Sequence, residues 1–366
     1  MARILVTGSR GTIGRPLVQA LKAQGHEVWE MDLGHAVGDR YFRADVSSFR
    51  ELEKVFDQKY DFVYHLAAEF GRQNGEEYYE SVWRTNVIGT RNILEWQVRK
   101  GFELIFTSSS EIYGETRADW LDEALPERQP VFPHNDYALS KWVNEIQIIN
   151  FEKRYGVPVL RLRLFNAYGP GEFYHPYRSV VCQFVYRALH HMPYTVYQGY
   201  HRVFMYIDDL IPTLTRAVAR FAPGRVYNVG GRDYRSVEEL SDLVLACTGG
   251  DPGLVCYAPL DRHNTTNKRP DISLASRELG HDPKTTLEEG VPKTVAWMKQ
   301  VYGSNGGGED GGRDDGDGHD GGDGHDGGDA GGGGDAGGGG SEGEGGSENG
   351  RGRDDPGEAA QKGQWG

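Results

Sequence analysis

Cysteine is scarce, no apolar run is long, and basic charge never gathers into a patch. Each lack removes a class of protein. Cys182, Cys247 and Cys256 are the only three cysteines in 366 residues, an odd number without framework spacing. That excludes a disulfide scaffold and leads us to expect packed thiols in a reducing compartment. No stretch reaches the roughly 20 apolar residues of a membrane-spanning helix, and no charged–apolar–small signal segment opens the chain. Ala2–Thr7, the first apolar run, is far too short for either role. A soluble, cytoplasmic protein without a membrane partner is the expectation.

The net charge is −14, but sixteen acidic and only four basic side chains lie between Ser304 and the C-terminus. Met1–Gly303 is therefore close to neutral, and nothing in its balance suggests a nucleic-acid surface. Residues 304–366 are mostly Gly and Asp, as in Gly316–Asp326. Little there is apolar enough to offset ordering entropy, so a disordered acidic tail is expected. Its Asp-Gly repetition lacks the large apolar residue of calcium-binding nonapeptide repeats, so no metal site is assigned, His319 and His325 included.

The rest of the chain alternates strand and helix. Ile4-Leu5-Val6 is continuously apolar, as a parallel strand covered on both faces must be. It runs into Thr7-Gly8-Ser9-Arg10-Gly11-Thr12-Ile13-Gly14 and a helix to about Gln24, closed by Gly25. Glycines at this spacing let the backbone turn tightly and approach a pyrophosphate at a helix N-terminus. A second strand ends in Asp32, whose carboxylate suits a ribose 2′-hydroxyl and repels a 2′-phosphate, favouring NAD over NADP. A third ends near Asp45, which either meets an adenine amino group or caps the next helix. A fourth, Phe62–Ala68, ends in small residues that let a flat cofactor lie close, and His65 within it reads as a packed strand residue. A long helix is predicted around Thr85–Thr90. The pattern predicts a doubly wound parallel sheet with ligands at the strands' C-terminal ends.

The chemistry centres on Phe106–Lys141. A strand, Glu103–Thr107, ends in Ser108-Ser109-Ser110-Glu111-Ile112-Tyr113-Gly114, and a helix opens with Asn135-Asp136-Tyr137-Ala138-Leu139-Ser140-Lys141. Tyr137 and Lys141, four apart, share a helix face. A phenol beside an ammonium is eased toward its anion and becomes a usable base. The strand-end hydroxyls sit opposite it, and Glu111 adds a second candidate base. Beyond a sixth strand, Val159–Phe165, the elements shorten. A capping box, Ser236-Val237-Glu238-Glu239, opens one helix, and Leu287–Tyr302 forms the last. The expected division is a nucleotide-binding domain over 1–170, a mainly substrate-binding domain over 171–303 with some interleaving, and the tail over 304–366.

With the glycine turn, Asp32, the strand-end serines, Tyr137-x-x-x-Lys141 and Asn166-Ala167-Tyr168-Gly169-Pro170 in order, Met1–Gly303 resembles the extended short-chain dehydrogenase/reductases. More narrowly it resembles their NAD-dependent nucleotide-sugar epimerases, dehydratases and decarboxylases. The resemblance implies a Rossmann sheet, NAD as cofactor, a nucleotide-diphosphate sugar as substrate, and a homodimer. It assigns Tyr137 as the base at the sugar 4-hydroxyl while hydride leaves C4, Lys141 as its partner, and Ser109 as a hydrogen-bonding partner of the same hydroxyl. Cofactor contacts fall at Gly8, Gly11, Thr12, Ile13, Gly14, Asp32, Asp45, Val46, Leu66, Ala67, Ala68, Asn86, Ser108, Tyr137, Lys141 and Phe165. Substrate contacts fall at Ser110, Asn166, Arg202 and Arg269. Arginine suits forked contact with phosphate oxygens, although either arginine could equally sit in a surface ion pair.

Glu111 bears on which reaction follows C4 oxidation. In 4-epimerases of the family the matching position is small or apolar, and 4,6-dehydratases carry Asp-Glu. Ser110-Glu111 keeps the Glu and lacks the Asp, which is similar to UDP-glucuronate decarboxylases and to GDP-mannose 4,6-dehydratases. The latter favour NADP, against which Asp32 argues. Decarboxylation of UDP-glucuronate is therefore the leading expectation, with 4-epimerisation, 4,6-dehydration or net NAD-dependent oxidoreduction of a small carbonyl compound as alternatives. The helix entry lacks the arginine that many decarboxylases carry before the tyrosine. Arg72, in a segment that does not match theirs, either pairs with a carboxylate or phosphate or is simply solvated.

Overall fold

Period-two burial explains the central sheet. In the computed structural model, which describes residues 1–259 and 265–303, Ile4, Leu5 and Val6 are all fully buried. Ile4 and Val6 point into one apolar cluster with Leu17, Leu21 and Ile105. Leu5 points into the other, with Val63, Leu104, Phe106 and Ile93. A strand buried on both faces needs helices on both.

The seven strands are β1 (Arg3–Thr7), β2 (Glu27–Asp32), β3 (Tyr41–Arg43), β4 (Phe62–His65), β5 (Glu103–Ser109), β6 (Val159–Leu164) and β7 (Val226–Val229). They pair in the order β7-β6-β5-β4-β1-β2-β3, every neighbour parallel. The strand order reverses between β1 and β4, and a doubly wound sheet opens its ligand crevice at such a point. The doubly wound sheet expected from the sequence is present. Its seventh strand comes from the C-terminal third, so that segment both extends the nucleotide sheet and builds small sheets of its own.

One of those small sheets matters for the site. His201–Val203 pairs antiparallel with Tyr234–Ser236 and parallel with Asn267–Lys268, setting Lys268 in register with Arg202. The Asp136–Tyr155 helix begins at Asn135, whose side chain accepts the Ala138 N–H at 2.8 Å, and stops at Gly156 in the left-handed region. The predicted capping box forms, with Ser236 and Glu239 bonding reciprocally.

Two expectations change. The long helix around Thr85–Thr90 is broken into Arg72–Glu77, Tyr79–Val82, a π-helical turn Trp83–Ile88 and an α-helix Gly89–Lys100. Tertiary bonds oppose a regular spiral there. Asn86 exchanges bonds with both backbone groups of Glu69 and donates to Ser140 Oγ, while Trp83 Nε1 donates to Asp136 at 2.7 Å. Of the three free thiols Cys182 is buried and Cys247 half-buried, but Cys256 is exposed, on the outer side of the two-stranded Val255–Ala258 ladder. The tail with His319 and His325 lies outside the described residues. Among the described residues no helix is long and apolar enough to cross a membrane.

Candidate active site

The cofactor end is built from the β1 turn. Gly8 has φ +68°, and a Cβ there would lie 2.7 Å from the Ala67 nitrogen; a Cβ on Gly14 would lie 2.1 Å from the Gly8 oxygen. Only glycine permits this approach. The helix Gly14–Ala23 starts without a side-chain cap at Ile13, and the Gly11 N–H closes the turn onto the Gly8 carbonyl at 3.2 Å. The Ser9 hydroxyl is buried with no partner among the described residues. At the end of β2, Asp32 Oδ2 accepts the Arg10 N–H at 2.8 Å and Oδ1 the Leu33 N–H at 2.8 Å. A glycine turn at a helix N-terminus with a carboxylate at the end of the next strand fits a dinucleotide.

The other expected cofactor residues divide. Leu66, Ala67 and Ala68 follow β4, with the Ala67 N–H on Thr7 Oγ1 at 3.2 Å. Asp45 Oδ1 accepts the Ser47 N–H, while Ser48 caps the next helix, and Val46 is packed under Gly89. The Asn86 amide is committed to Glu69 and Ser140, and Ser108 Oγ donates to Glu145 at 2.5 Å. Phe165 is fully buried with Ile112, Tyr113, Leu121 and Leu125. His65 sits between Thr7 and Thr90 hydroxyls at 2.9 and 3.1 Å, and burial, with the Lys141 charge, pushes it down to about 3. It is a neutral packed histidine.

Tyr137 and Ser109 meet by a side-chain hydrogen bond, and Ser109 Oγ also accepts the Glu111 N–H at 3.2 Å. Lys141 Nζ donates to the Thr107 carbonyl at 3.1 Å and lies 5.3 Å from the Phe106 ring centroid. Burial lowers this ammonium to about 8, and Glu145, one helical turn further, pulls it back up. Burial instead raises the Tyr137 phenol to about 12; the Ser109 bond eases it and the Glu111 charge opposes ionisation. The phenol eased by its lysine, expected from spacing, is thus outweighed here by desolvation and a nearby carboxylate.

Glu111 faces cations from three elements. Its Oε1 is hydrogen-bonded to Lys268 Nζ, and the Lys268 side chain is 3% exposed. Burial alone would raise the Glu111 carboxyl, but Lys268, with Arg202 and Arg72, outweighs it and holds the carboxyl below its usual range. Lys268 in turn is lowered by burial to about 8, with Glu111 opposing and Arg202 and Arg72 reinforcing. Arg202 is buried; its Nη1 donates to the His201 and Thr266 carbonyls at 2.9 Å each, and its charge acts on Glu111. Asn166, at φ +38°, gives its amide to the Val203 carbonyl at 2.9 Å. Arg269 is stacked 3.9 Å from the Trp120 ring centroid and 5.1 Å from that of Tyr234, beside a cleft of about 330 Å³. Ser110 is buried at the first position of a 3₁₀ turn.

Two groups were missed by sequence reasoning. Lys268 was visible only as part of Lys268-Arg269-Pro270-Asp271, and nothing in a sequence pairs it with Glu111. Glu145 completes a spacing of four with Tyr137 and Lys141, a signal that was available. Arg163 holds Glu145 by two bonds, Nε–Oε1 at 2.9 Å and Nη2–Oε2 at 2.8 Å, and gives Nη1 to Tyr113 OH at 2.8 Å. Tyr113 donates to Asn228 Oδ1 at 2.7 Å, and Asn228 Nδ2 to the Leu121 carbonyl at 2.7 Å.

A doubly wound sheet with a dinucleotide cradle at its switch point and a Ser–Tyr–Lys set beside it is the architecture of a nicotinamide-dependent short-chain enzyme. The chain belongs to the NAD-dependent epimerase/dehydratase family, which matches residues 4–230. It is 27% identical over 322 residues to UDP-N-acetyl-alpha-D-glucosaminuronate decarboxylase of Bacillus cytotoxicus, covering 82% of this chain and 98% of that one. It is 30% identical over 314 residues to UDP-glucuronic acid decarboxylase 1 of Arabidopsis thaliana, covering 80% of this chain and 69% of that one. Among solved structures, the UDP-glucose 4-epimerase of Thermotoga maritima with UDP-glucose superposes with a TM-score of 0.75 at 27% identity, covering 82% of this chain and 99% of the other.

Proposed function

We propose that the protein decarboxylates a nucleotide-diphosphate uronate, UDP-glucuronate first among them, through a transient 4-keto sugar. The observation that carries this reading is the set of three cations, Lys268, Arg202 and Arg72, acting on Glu111, with Lys268 hydrogen-bonded to it. A diphosphate answers part of that positive charge, and a carboxylate on the sugar answers more of it. Both decarboxylase relatives are named for uronic-acid substrates.

Tyr137 takes the proton of the sugar 4-hydroxyl, with Ser109 bonded to the same oxygen and Lys141 lending its charge to the phenolate. The Gly8–Gly14 turn and Asp32 would hold NAD, which would supply the hydride acceptor for C4. With a ketone at C4 the uronate is a β-keto acid and loses CO₂ without a strong base, and C5 then needs one proton. Ser110 stands where a 4,6-dehydratase needs a carboxyl to protonate the leaving hydroxyl, so dehydration lacks its acid. Arg202, Arg269 and Asn166 are read as diphosphate contacts, which makes the segment after Gly171 the main substrate side.

A 4-epimerase is the second reading, favoured by the likeness to the Thermotoga enzyme. One panel decides: incubate with UDP-glucuronate, UDP-N-acetylglucosaminuronate and UDP-glucose and follow product mass. Loss of CO₂ is expected from a uronate; an unchanged mass with a new isomer would sink decarboxylation. We also infer a homodimer, from exposed Ile88, Leu139 and Ile146 on the neighbouring Trp83–Lys100 and Asp136–Tyr155 segments. A monomer by light scattering would refute it.

A further inference from the structure

Lys268 is nearly fully buried and bonded to Glu111. A buried ammonium stripped of its anion is costly, so this position has to face a carboxylate or its equivalent at every stage of turnover. The groups around Glu111 come from separate elements: Lys268 from the strand Asn267–Lys268, Arg202 from His201–Val203, Arg72 from the helix Arg72–Glu77, and Tyr137 from Asp136–Tyr155. Glu115 acts on Arg202 from the loop beyond Tyr113.

The position of this cluster relative to Tyr137 is the informative part. The Arg72 helix abuts the catalytic tyrosine so closely that a Cβ on Gly75 would lie 3.0 Å from the Tyr137 nitrogen. The Glu111 charge is near enough to Tyr137 to resist its ionisation. In a hexuronate the 4-hydroxyl and the carboxyl are carried by adjacent ring carbons. A sugar whose 4-hydroxyl meets Tyr137 therefore brings its carboxylate into the region that Glu111 and its cations occupy.

We propose that Lys268 and Arg72 form the sugar-carboxylate subsite and that Glu111 fills it in the free enzyme, so that a bound uronate takes these cations over and Glu111 takes up a proton. The exchange is one carboxylate for another, so the charge balance around Lys268 and Arg72 is kept. Lys268 is the largest of the charges that keep Glu111 ionised against its burial, with Arg202 and Arg72 adding to it, so handing Lys268 and Arg72 to the sugar carboxylate raises the Glu111 carboxyl and it binds a proton. This final use rests on the decarboxylase reading: when CO₂ leaves, the electron pair at C5 takes the Glu111 proton, and the carboxylate returns to Lys268. One proton enters and one CO₂ leaves, as decarboxylation of a carboxylate requires.

The test uses the full-length, NAD-loaded Tyr137→Phe variant, which binds substrate without turning it over. Calorimetric titration in buffers of different ionisation enthalpy near neutral pH reads protons taken up per site. We expect about one for UDP-glucuronate, none for UDP-glucose, and none for UDP-glucuronate once Glu111→Gln is added. Uronate binding without proton uptake overturns the exchange. Arg72→Gln, at a half-buried position, is expected to weaken UDP-glucuronate by ~10-fold or more and to spare UDP-glucose. Equal weakening of both sugars would assign Arg72 elsewhere and overturn the subsite. CO₂ release by the wild-type enzyme is scored separately. Release without proton uptake removes the exchange and leaves the decarboxylase; uptake without release keeps the exchange and removes the decarboxylase.

Discussion

Replacing Arg163 by leucine removes one side of the most buried ion pair among the described residues, whose acid, Glu145, lies on the Tyr137 helix. The Arg163 side chain is 4% exposed and that of Glu145 0%. The guanidinium makes four hydrogen bonds, two to Glu145 and one each to Tyr113 and the Glu123 carbonyl. Without it Glu145 retains the Ser108 hydroxyl and Arg161, whose nearest approach is 3.9 Å. Leaving a buried carboxylate so poorly matched costs ~3–5 kcal/mol, and Arg161 keeps the figure from going higher. Unfolding entropy is about 2.1 cal/mol/K per residue, so for roughly 300 residues the loss corresponds to a fall in Tm of about 5–8 °C. Thermal melts followed by circular dichroism measure it. The double variant Arg163→Leu, Glu145→Leu removes the stranded charge along with its partner, so it should recover at least half of the loss. A single variant melting within about 2 °C of wild type, or a double variant showing the plain sum of two losses, would refute the coupling.

Three further outcomes follow from the geometry. Tyr137→Phe should cut turnover by ~10²–10⁴-fold with NAD affinity retained, read by single-turnover assays and cofactor titration; near-normal turnover would remove Tyr137 from the chemistry. Gly14→Ala places a methyl 2.1 Å from the Gly8 carbonyl oxygen, so the turn must open and NAD occupancy of the purified protein should drop sharply, measured by absorbance of released cofactor. Glu111 and Glu145 both have folded carboxyls held below the ordinary 4.5: burial opposes this in each, and Lys268 and Arg163 respectively outweigh it. The unfolded chain binds protons first as pH falls, so their stabilisation is complete above 4.5 and is lost as pH drops through the folded values. Urea titrations should show stability declining below pH 4.5, and less steeply in Glu145→Gln; identical slopes would count against the Glu145 contribution.

The parts legible in the sequence were those whose cause is local. The apolar run Ile4–Val6, the three glycines before a helix and Asp32 closing the next apolar run specify a strand, a tight turn and a carboxylate at the end of β2 through backbone sterics and periodicity alone. Tyr137 and Lys141 share a face because four residues make one helical turn. The capping box at Ser236 is likewise a matter of neighbouring side chains.

What tertiary structure decided are the contacts between residues far apart in the chain. Lys268 reaches Glu111 across 157 positions, and only the pairing of Asn267–Lys268 with His201–Val203 brings it there beside Arg202. Val226–Val229 reads as one more strand, and its place at the edge of the main sheet depends on its register with Arg161–Leu164. The π-helical turn at Trp83 exists because Asn86 and Trp83 bond to Glu69 and Asp136, which no helix propensity reports. For Tyr137, spacing supplies the lysine on the same helix face, whereas the desolvation that raises the phenol comes from burial in the fold. Periodicity determined which residues face one another along an element. Packing determined which charges are taken out of water together, as it does for Glu111 and Lys268.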